Sequence, residues 1–259
     1  MEFTSLFAGI GGFELGFEKA GMKCVCQVEN NKYCIQVLGK YWPDVQRLGD
    51  IRDVRTVPGE VICGGDPCPS RSRAKRGNAA VHPDLSGYFL AVAARSRPRW
   101  VVRENVLAPD VIHFAAGLEA LGYGVIIIEL DARDFTAQSR RRQFVIGCPV
   151  DGTADLRRVL CARSQSDRPV QESGTEQSEA CMCITTHHNR MAAEDNYGFE
   201  QGRGLRVLTP EERESLQGFP RGWTADFSRS RRYQMLGNAV PPPMTEWIGR
   251  VIMQIENDD

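Results

Sequence analysis

Short apolar runs alternate with stretches whose apolar positions recur three and four apart over the first half of the chain. Phe3 to Ala8 reads as a strand entering a glycine-rich turn, and Phe13 to Ala20 as a helix. Lys23 to Val28 reads as the next strand and Cys34 to Tyr41 as the next helix. Val61 to Cys63, Trp100 to Val102, Val125 to Ile128 and Phe144 to Ile146 read as further strands. This alternation predicts an α/β sandwich with a largely parallel sheet. The pattern fades after Cys148, and residues 164 to 180 are rich in Ser, Gln, Glu and Asp, which predicts a loop-rich insertion. Order resumes at Leu208: Thr209 is placed to cap a helix, Pro210 suits its first turn, and Glu212 can close a capping box. A last helix is predicted from about Pro243 to Ile255.

Composition narrows this picture. A chain of 259 residues can bury one substantial core and carry a small second lobe. Its hydrophobic share of 42% and charged share of 25% are those of an ordinary soluble protein. It contains no apolar run of membrane-spanning length, and Met1 to Phe7 lacks the basic start and long apolar stretch of an export signal. A cytoplasmic protein without a membrane partner is expected. Nine cysteines cannot all pair internally, so free thiols are expected, one of them a candidate nucleophile. The pairs Cys24/Cys26 and Cys181/Cys183 lack the usual spacing of a zinc site, and no metal is expected. Net charge is −1, yet cations cluster locally. Arg71-Ser72-Arg73-Ala74-Lys75-Arg76 holds four; Arg95, Arg97, Arg99 and Arg103 follow, then Arg140 to Arg142 and Arg229, Arg231 and Arg232. Such clusters can hold phosphates on a neutral protein, although each alone reads equally as solvated surface charge.

Five motifs carry chemistry. Phe7-Ala8-Gly9-Ile10-Gly11-Gly12 lies between a strand and a helix, where glycines let a ligand approach backbone donors. Glu29, seventeen residues after Gly12, ends the second strand and can accept from ribose hydroxyls; Asp50 ends the next unit and can accept from an adenine amino group. Gly64-Gly65-Asp66-Pro67-Cys68 sets a cysteine on a glycine-framed loop at a strand end, among Pro, Ser and Arg rather than apolar neighbours, as suits an accessible thiolate. Arg103-Glu104-Asn105-Val106 brings a carboxyl group to the same edge. Gln138-Ser139-Arg140-Arg141-Arg142 alternates two arginines onto one side, and Gly237-Asn238-Ala239-Val240-Pro241-Pro242 leads into the last helix.

In this order the motifs resemble the cytosine-5 DNA methyltransferase family, together with the segment Arg206 to Glu211 and Leu216-Gln217-Gly218-Phe219-Pro220. The resemblance spans nearly all of the chain except roughly residues 150 to 180. It implies a Rossmann-like methyltransferase sheet with helices on both faces, formed by residues 1–155 and 234–259, and a small loop-rich target-recognition domain over 156–233. It implies S-adenosyl-L-methionine as cofactor and double-stranded DNA as partner, with the protein acting as a monomer. Phe7 would lie against the adenine, with Ala8, Gly9, Ile10, Gly11 and Gly12 around the cofactor. Glu29 would hold the ribose and Asp50 the adenine amino group, and Asn30, Ile51, Asp66, Phe89, Asn238, Ala239 and Val240 would complete the cofactor pocket. Cys68 would attack C6 of a flipped-out cytosine so that C5 becomes nucleophilic. Glu104 would hold or protonate the ring near N3, Arg140 would contact the base carbonyl oxygen, and Arg142 would position the Cys68 loop.

Three positions depart from the family pattern: Pro69 stands where Gln is usual, Ser86 where Arg is usual and Ala239 where Ser is usual. Pro69 and Ser86 bear on how the Cys68 loop closes. The same motifs also occur in a branch acting on RNA cytosine, and an inactive binding module is a second alternative. Intact Cys68, Glu104, Arg140 and Arg142 argue against the latter. A nucleotide-binding dehydrogenase explains the glycines but neither the Pro-Cys loop nor the arginine motif. The segment from about Leu156 to Met182 contains four arginines, Arg157, Arg158, Arg163 and Arg168, and base-reading residues are expected there.

Overall fold

The computed structural model describes residues 1–67, 84–166, 197–200 and 204–258. Seven strands form one sheet in the order β3-β2-β1-β4-β5-β7-β6. They are β1 (Glu2–Leu6), β2 (Lys23–Val28), β3 (Gln46–Leu48), β4 (Val61–Gly64), β5 (Trp100–Asn105), β6 (Gly124–Asp131) and β7 (Arg141–Cys148). The first five pair in parallel, whereas β7 runs antiparallel between β5 and β6. A second, two-stranded antiparallel sheet joins β8 (Tyr197–Glu200) to β9 (Gly204–Val207).

Side chains alternate between two helical layers, as the pleat of a doubly covered sheet requires. Val61, Cys63, Trp100 and Val102 face a core shared with α1 (Gly12–Lys19), α5 (Thr153–Ser166) and α8 (Pro242–Asp258). Ile62 and Val101 face the opposite core, with α3 (Ser86–Ser96) and α4 (Val111–Ala120). On α4 the buried positions are Val111, Phe114, Ala115 and Leu118, a one-faced helical stripe. A third cluster sets α2 (Lys32–Tyr41) against α7 (Arg229–Asn238) and the segment of Phe219 and Trp223. The sixth helix, α6 (Pro210–Leu216), begins on the expected box: Thr209 Oγ1 accepts from Glu212 N–H and Glu212 accepts from Thr209 N–H.

Close packing of α1 on α8 depends on two glycines. A Cβ at Gly12 would lie 2.4 Å from the Val240 carbonyl oxygen, and one at Gly16 would lie 2.0 Å from Thr245 Oγ1. Thr245 Oγ1 donates to the Gly12 carbonyl, 233 residues away in sequence, at 2.9 Å. The last helix is thereby seated on the N-terminal glycine loop.

Candidate active site

Register places the strand-end motifs on one rim. Leu48, Val28, Leu6, Gly64 and Arg103 are neighbours across the five parallel strands, so the residues that follow them emerge side by side at the carboxyl edge. α/β sheets bind ligands at this edge. Phe7 to Gly11 leave β1 there, Glu29 leaves β2, Gly65 to Pro67 leave β4, and Glu104 and Asn105 end β5.

The first loop turns tightly, with Phe7, Gly9 and Gly11 at φ of 54°, 58° and 88°. A left-handed phenylalanine is sparsely populated and needs support from its surroundings. Phe7 is half-buried and its ring lies 6.4 Å from that of Phe89. At Gly11 a Cβ would meet the Trp42 ring at 2.5 Å, so the indole fills that side. The Trp223 Nε1–H donates to the Ile10 carbonyl at 2.8 Å. Ala8 and Ile10 point into the core, leaving only their backbone to the rim. Spacing in the sequence gave no sign of Trp42 or Trp223 as the loop's outer wall.

Glu29 holds this loop from the next strand. Its Oε2 accepts from Gly9 N–H at 2.7 Å and its Oε1 from Asn31 N–H at 2.8 Å. Burial pushes its carboxyl up while these backbone donors pull it back. Asp50 is more occupied: Arg52 Nε and Nη2 donate to it at 2.8 and 2.6 Å, and Asn30 Nδ2 at 3.1 Å. The Arg52 hydrogen bonds hold its carboxyl far below the usual range. Ile51 is buried in the α3/α4 core.

The residues around the thiol loop are buried and ionic. Cys68 and the cluster at 71–76 lie outside the described residues. Glu104 Oε1 lies 2.9 Å from Arg142 Nε, with both side chains largely buried. Burial raises the Glu104 carboxyl above its ordinary range, against the lowering pull of Arg142 and then Arg140. A Cβ at Gly65 would stand 2.7 Å from Glu104 Oε2, so glycine is what admits the carboxylate beside the stem of the Cys68 loop. Arg140 reaches elsewhere: its Nη2 donates to the carbonyls of Gly237 and Ala239, each at 3.0 Å. It therefore ties the arginine motif to the segment containing Asn238 and Val240. Asp66 faces inward, where Arg103 Nε and Nη2 donate to its two oxygens at 2.5 and 2.8 Å.

Of the clustered arginines, Arg103, Arg140, Arg142 and Arg232 are buried and so turned away from any phosphate, whereas Arg95, Arg97 and Arg99 are exposed. Arg95 donates to the Val54 and Arg55 carbonyls, Arg97 to the Leu121 carbonyl, and Arg99 to Glu256. Arg103 is 1% exposed, and Arg232 is buried between Glu211 and Glu214. Consecutive arginines in sequence have different fates because strands and helices send neighbours to opposite sides. Arg229 remains exposed, and Arg231 lies over the Tyr33 ring at 3.9 Å. Among the described residues no cluster of metal-ligating groups exists, and no helix is long and apolar enough to cross a membrane.

The rim fits S-adenosylmethionine: the side of Gly9 that a Cβ would occupy is open, and Glu29 sits at the second strand end with a carboxylate for hydroxyl donors. Comparison with known proteins agrees. The model of the C-5 cytosine-specific DNA methylase family matches residues 1–177 and 160–254. The chain is 26% identical to the type II methyltransferase M2.BsuMI of Bacillus subtilis, over 98% of this chain and 76% of that protein. It is 29% identical to the type II methyltransferase M.HgiDI of Herpetosiphon aurantiacus, over 93% and 90%. Its fold resembles the crystal structure of a Spodoptera frugiperda DNMT2 mutant, with a TM-score of 0.74 at 14% identity over 97% of this chain and 99% of that one. The chain belongs to the C-5 cytosine-specific DNA methylases, S-adenosylmethionine-dependent enzymes that methylate cytosine in DNA at C5.

Proposed function

We propose that this enzyme acts as a monomer on a cytosine flipped out of duplex DNA, through a covalent bond from Cys68. The observation that carries the reading is the buried Glu104–Arg142 pair beside Gly65, three residues before Cys68. Addition of the Cys68 thiolate to C6 forms the S–C6 bond and pushes the ring's electron pair toward C5, while Glu104 supplies a proton or hydrogen bond at N3. S-adenosylmethionine, when bound, supplies an electrophilic methyl group on a sulfonium centre. Loss of the C5 proton and expulsion of the thiolate then restore the aromatic ring and free Cys68. Because Arg142 pairs with Glu104, we assign it, rather than Arg140, to the base beside that carboxylate. Arg140 holds the Gly237 to Ala239 segment in place.

We also narrow the target-recognition region, expected over 156–233, to about 167–207. Leu156, Val159 and Leu160 belong to the main core, and Phe219 and Trp223 pack beside Ile10. This division leaves β8 and β9 within the recognition part. The test is trapping: duplex DNA carrying 5-fluorocytosine at the target should form a denaturation-resistant adduct with the wild type and none with Cys68→Ser, which should still bind S-adenosylmethionine. An adduct that persists in Cys68→Ser overturns the assignment. The same protein offered transfer RNA should leave it unmethylated.

A further inference from the structure

Asp66 and Arg103 are the most deeply buried ion pair of the rim, with side chains 0% and 1% exposed. Neither a cofactor pocket nor a phosphate needs this geometry. Both carboxylate oxygens of Asp66 are taken by the guanidinium fork, and Arg103 Nη2 also donates to Asp110 at 3.1 Å. The guanidinium lies over the Phe114 ring, 4.6 Å from its centroid, which fixes the plane of the fork from the α4 side. Asn105 Nδ2 donates to the Asp66 carbonyl at 3.0 Å. Two residues of one strand, Arg103 and Asn105, thus grip one residue of the neighbouring loop by side chain and backbone. Glu104, between them, points to the opposite face of β5 toward Arg142. A buried fork of this kind contributes little net stability over apolar residues of the same size, but it fixes geometry.

We propose that Asp66 and Arg103 are positioning residues: the clamp sets where the chain leaves β4, and so the approach of the Cys68 thiolate, two residues on, to C6 above Glu104. The clamp rests on the reading of Cys68 as nucleophile. It removes Asp66 from the cofactor contacts that the family resemblance suggests and gives Arg103 a part in the reaction without contact to the base. The deciding variant is the double replacement Asp66→Leu with Arg103→Met, which removes both charges together and leaves none buried alone. Asp66→Asn and Arg103→Lys accompany it as conservative single changes.

Three quantities are measured on the full chain: S-adenosylmethionine affinity by calorimetry on the cofactor-free protein, affinity for duplex DNA, and the single-turnover rate of adduct formation on 5-fluorocytosine DNA. In the double variant both affinities should stay within about threefold of wild type while the adduct rate falls about tenfold to hundredfold, the effect of a reacting group displaced by about an ångström. Arg103→Lys keeps the charge but loses the fork, and should fall between. A folded double variant that forms adduct at the wild-type rate overturns the clamp and leaves the Cys68 assignment standing. Cofactor affinity that falls in step with the rate overturns it in favour of Asp66 as a cofactor contact. Absence of adduct in the wild type itself overturns the nucleophile reading and the clamp with it.

Discussion

Glu104 sits under opposing pressures, and its titration should be visible in the reaction. Burial raises its carboxyl above the ordinary range even though Arg142 and Arg140 pull it down. A group that serves N3 through its proton works below that raised value, whereas Cys68 must lose a proton, near 8.5 when unperturbed. The rate should therefore rise as Cys68 ionises and fall as Glu104 does. Glu104→Gln should lower kcat about a hundredfold and abolish the falling limb of the pH–rate profile, with duplex affinity nearly unchanged. A falling limb that survives in Glu104→Gln would belong to another group. Glu29 makes the matching prediction for the cofactor. Its carboxylate holds Gly9 N–H, and its loss strips charge-assisted hydrogen bonds worth about 1.5–3 kcal/mol. Glu29→Ala should weaken S-adenosylmethionine binding by one to two orders of magnitude in calorimetry, and unchanged affinity would leave Glu29 a role in the loop only.

Helices and strands were unequally legible in the sequence. Alternating apolar runs revealed β1, β2, β4, β5 and the strong pair β6 and β7, and the Thr209/Glu212 box marked α6 to the residue. Periodicity carries no strand direction, so the antiparallel insertion of β7 between β5 and β6 was invisible. β3 escaped because Gln46, Arg47 and Leu48 are too few and too polar to form a pattern. Glu104, the glycine loop and Glu29 could be singled out in the sequence because each lies at a strand end or in a glycine turn that local pattern marks, and the structure brings them to one rim. The inward turn of Asp66 and the packing of Trp42 on Gly11 depend on residues distant in sequence, and no local pattern encodes them. One helix contact yields a sharp test. Gly16→Ala would press a methyl group on Thr245 Oγ1, the Pro242 carbonyl and the Glu246 amide, two of them backbone atoms that cannot swing aside. Overpacking of this kind costs about 1–3 kcal/mol. Thermal unfolding should show that loss, and cofactor affinity should fall with it because α8 seats the Gly12 loop. A Gly16→Ala protein as stable as wild type would mean that α8 is free to move outward.

One buried charge should govern how stability follows pH. Glu14, fully buried on α1, receives a hydrogen bond from Gln27 Nε2 at 3.2 Å and lies beside the Ser5 hydroxyl. Desolvation pushes its carboxyl up to about 8. The native state then holds a proton that the unfolded chain, with an ordinary carboxyl near 4.3, gives up. That contribution is complete below the unfolded value and is lost as pH rises toward 8. Glu14→Gln cannot ionise, and its amide can donate toward Ser5. Its stability advantage over wild type should grow by about 3–4 kcal/mol between pH 5 and pH 8. Chemical denaturation at both values checks this, and an advantage that does not grow would mean that Glu14 is ionised with a partner of its own. The bond from Thr245 to the Gly12 carbonyl has a consequence in time rather than space. The glycine loop is synthesised well before Val240 and Thr245, which press against it. At about 5–20 residues per second, a ribosome spends many seconds between making the cradle and making its lid-side wall. In the later part of that interval a nascent chain carries Glu104, Arg140 and Arg142, yet has no finished seat for the methyl donor. Truncation before Val240 should therefore silence the enzyme while leaving Glu104, Arg140 and Arg142 in the chain.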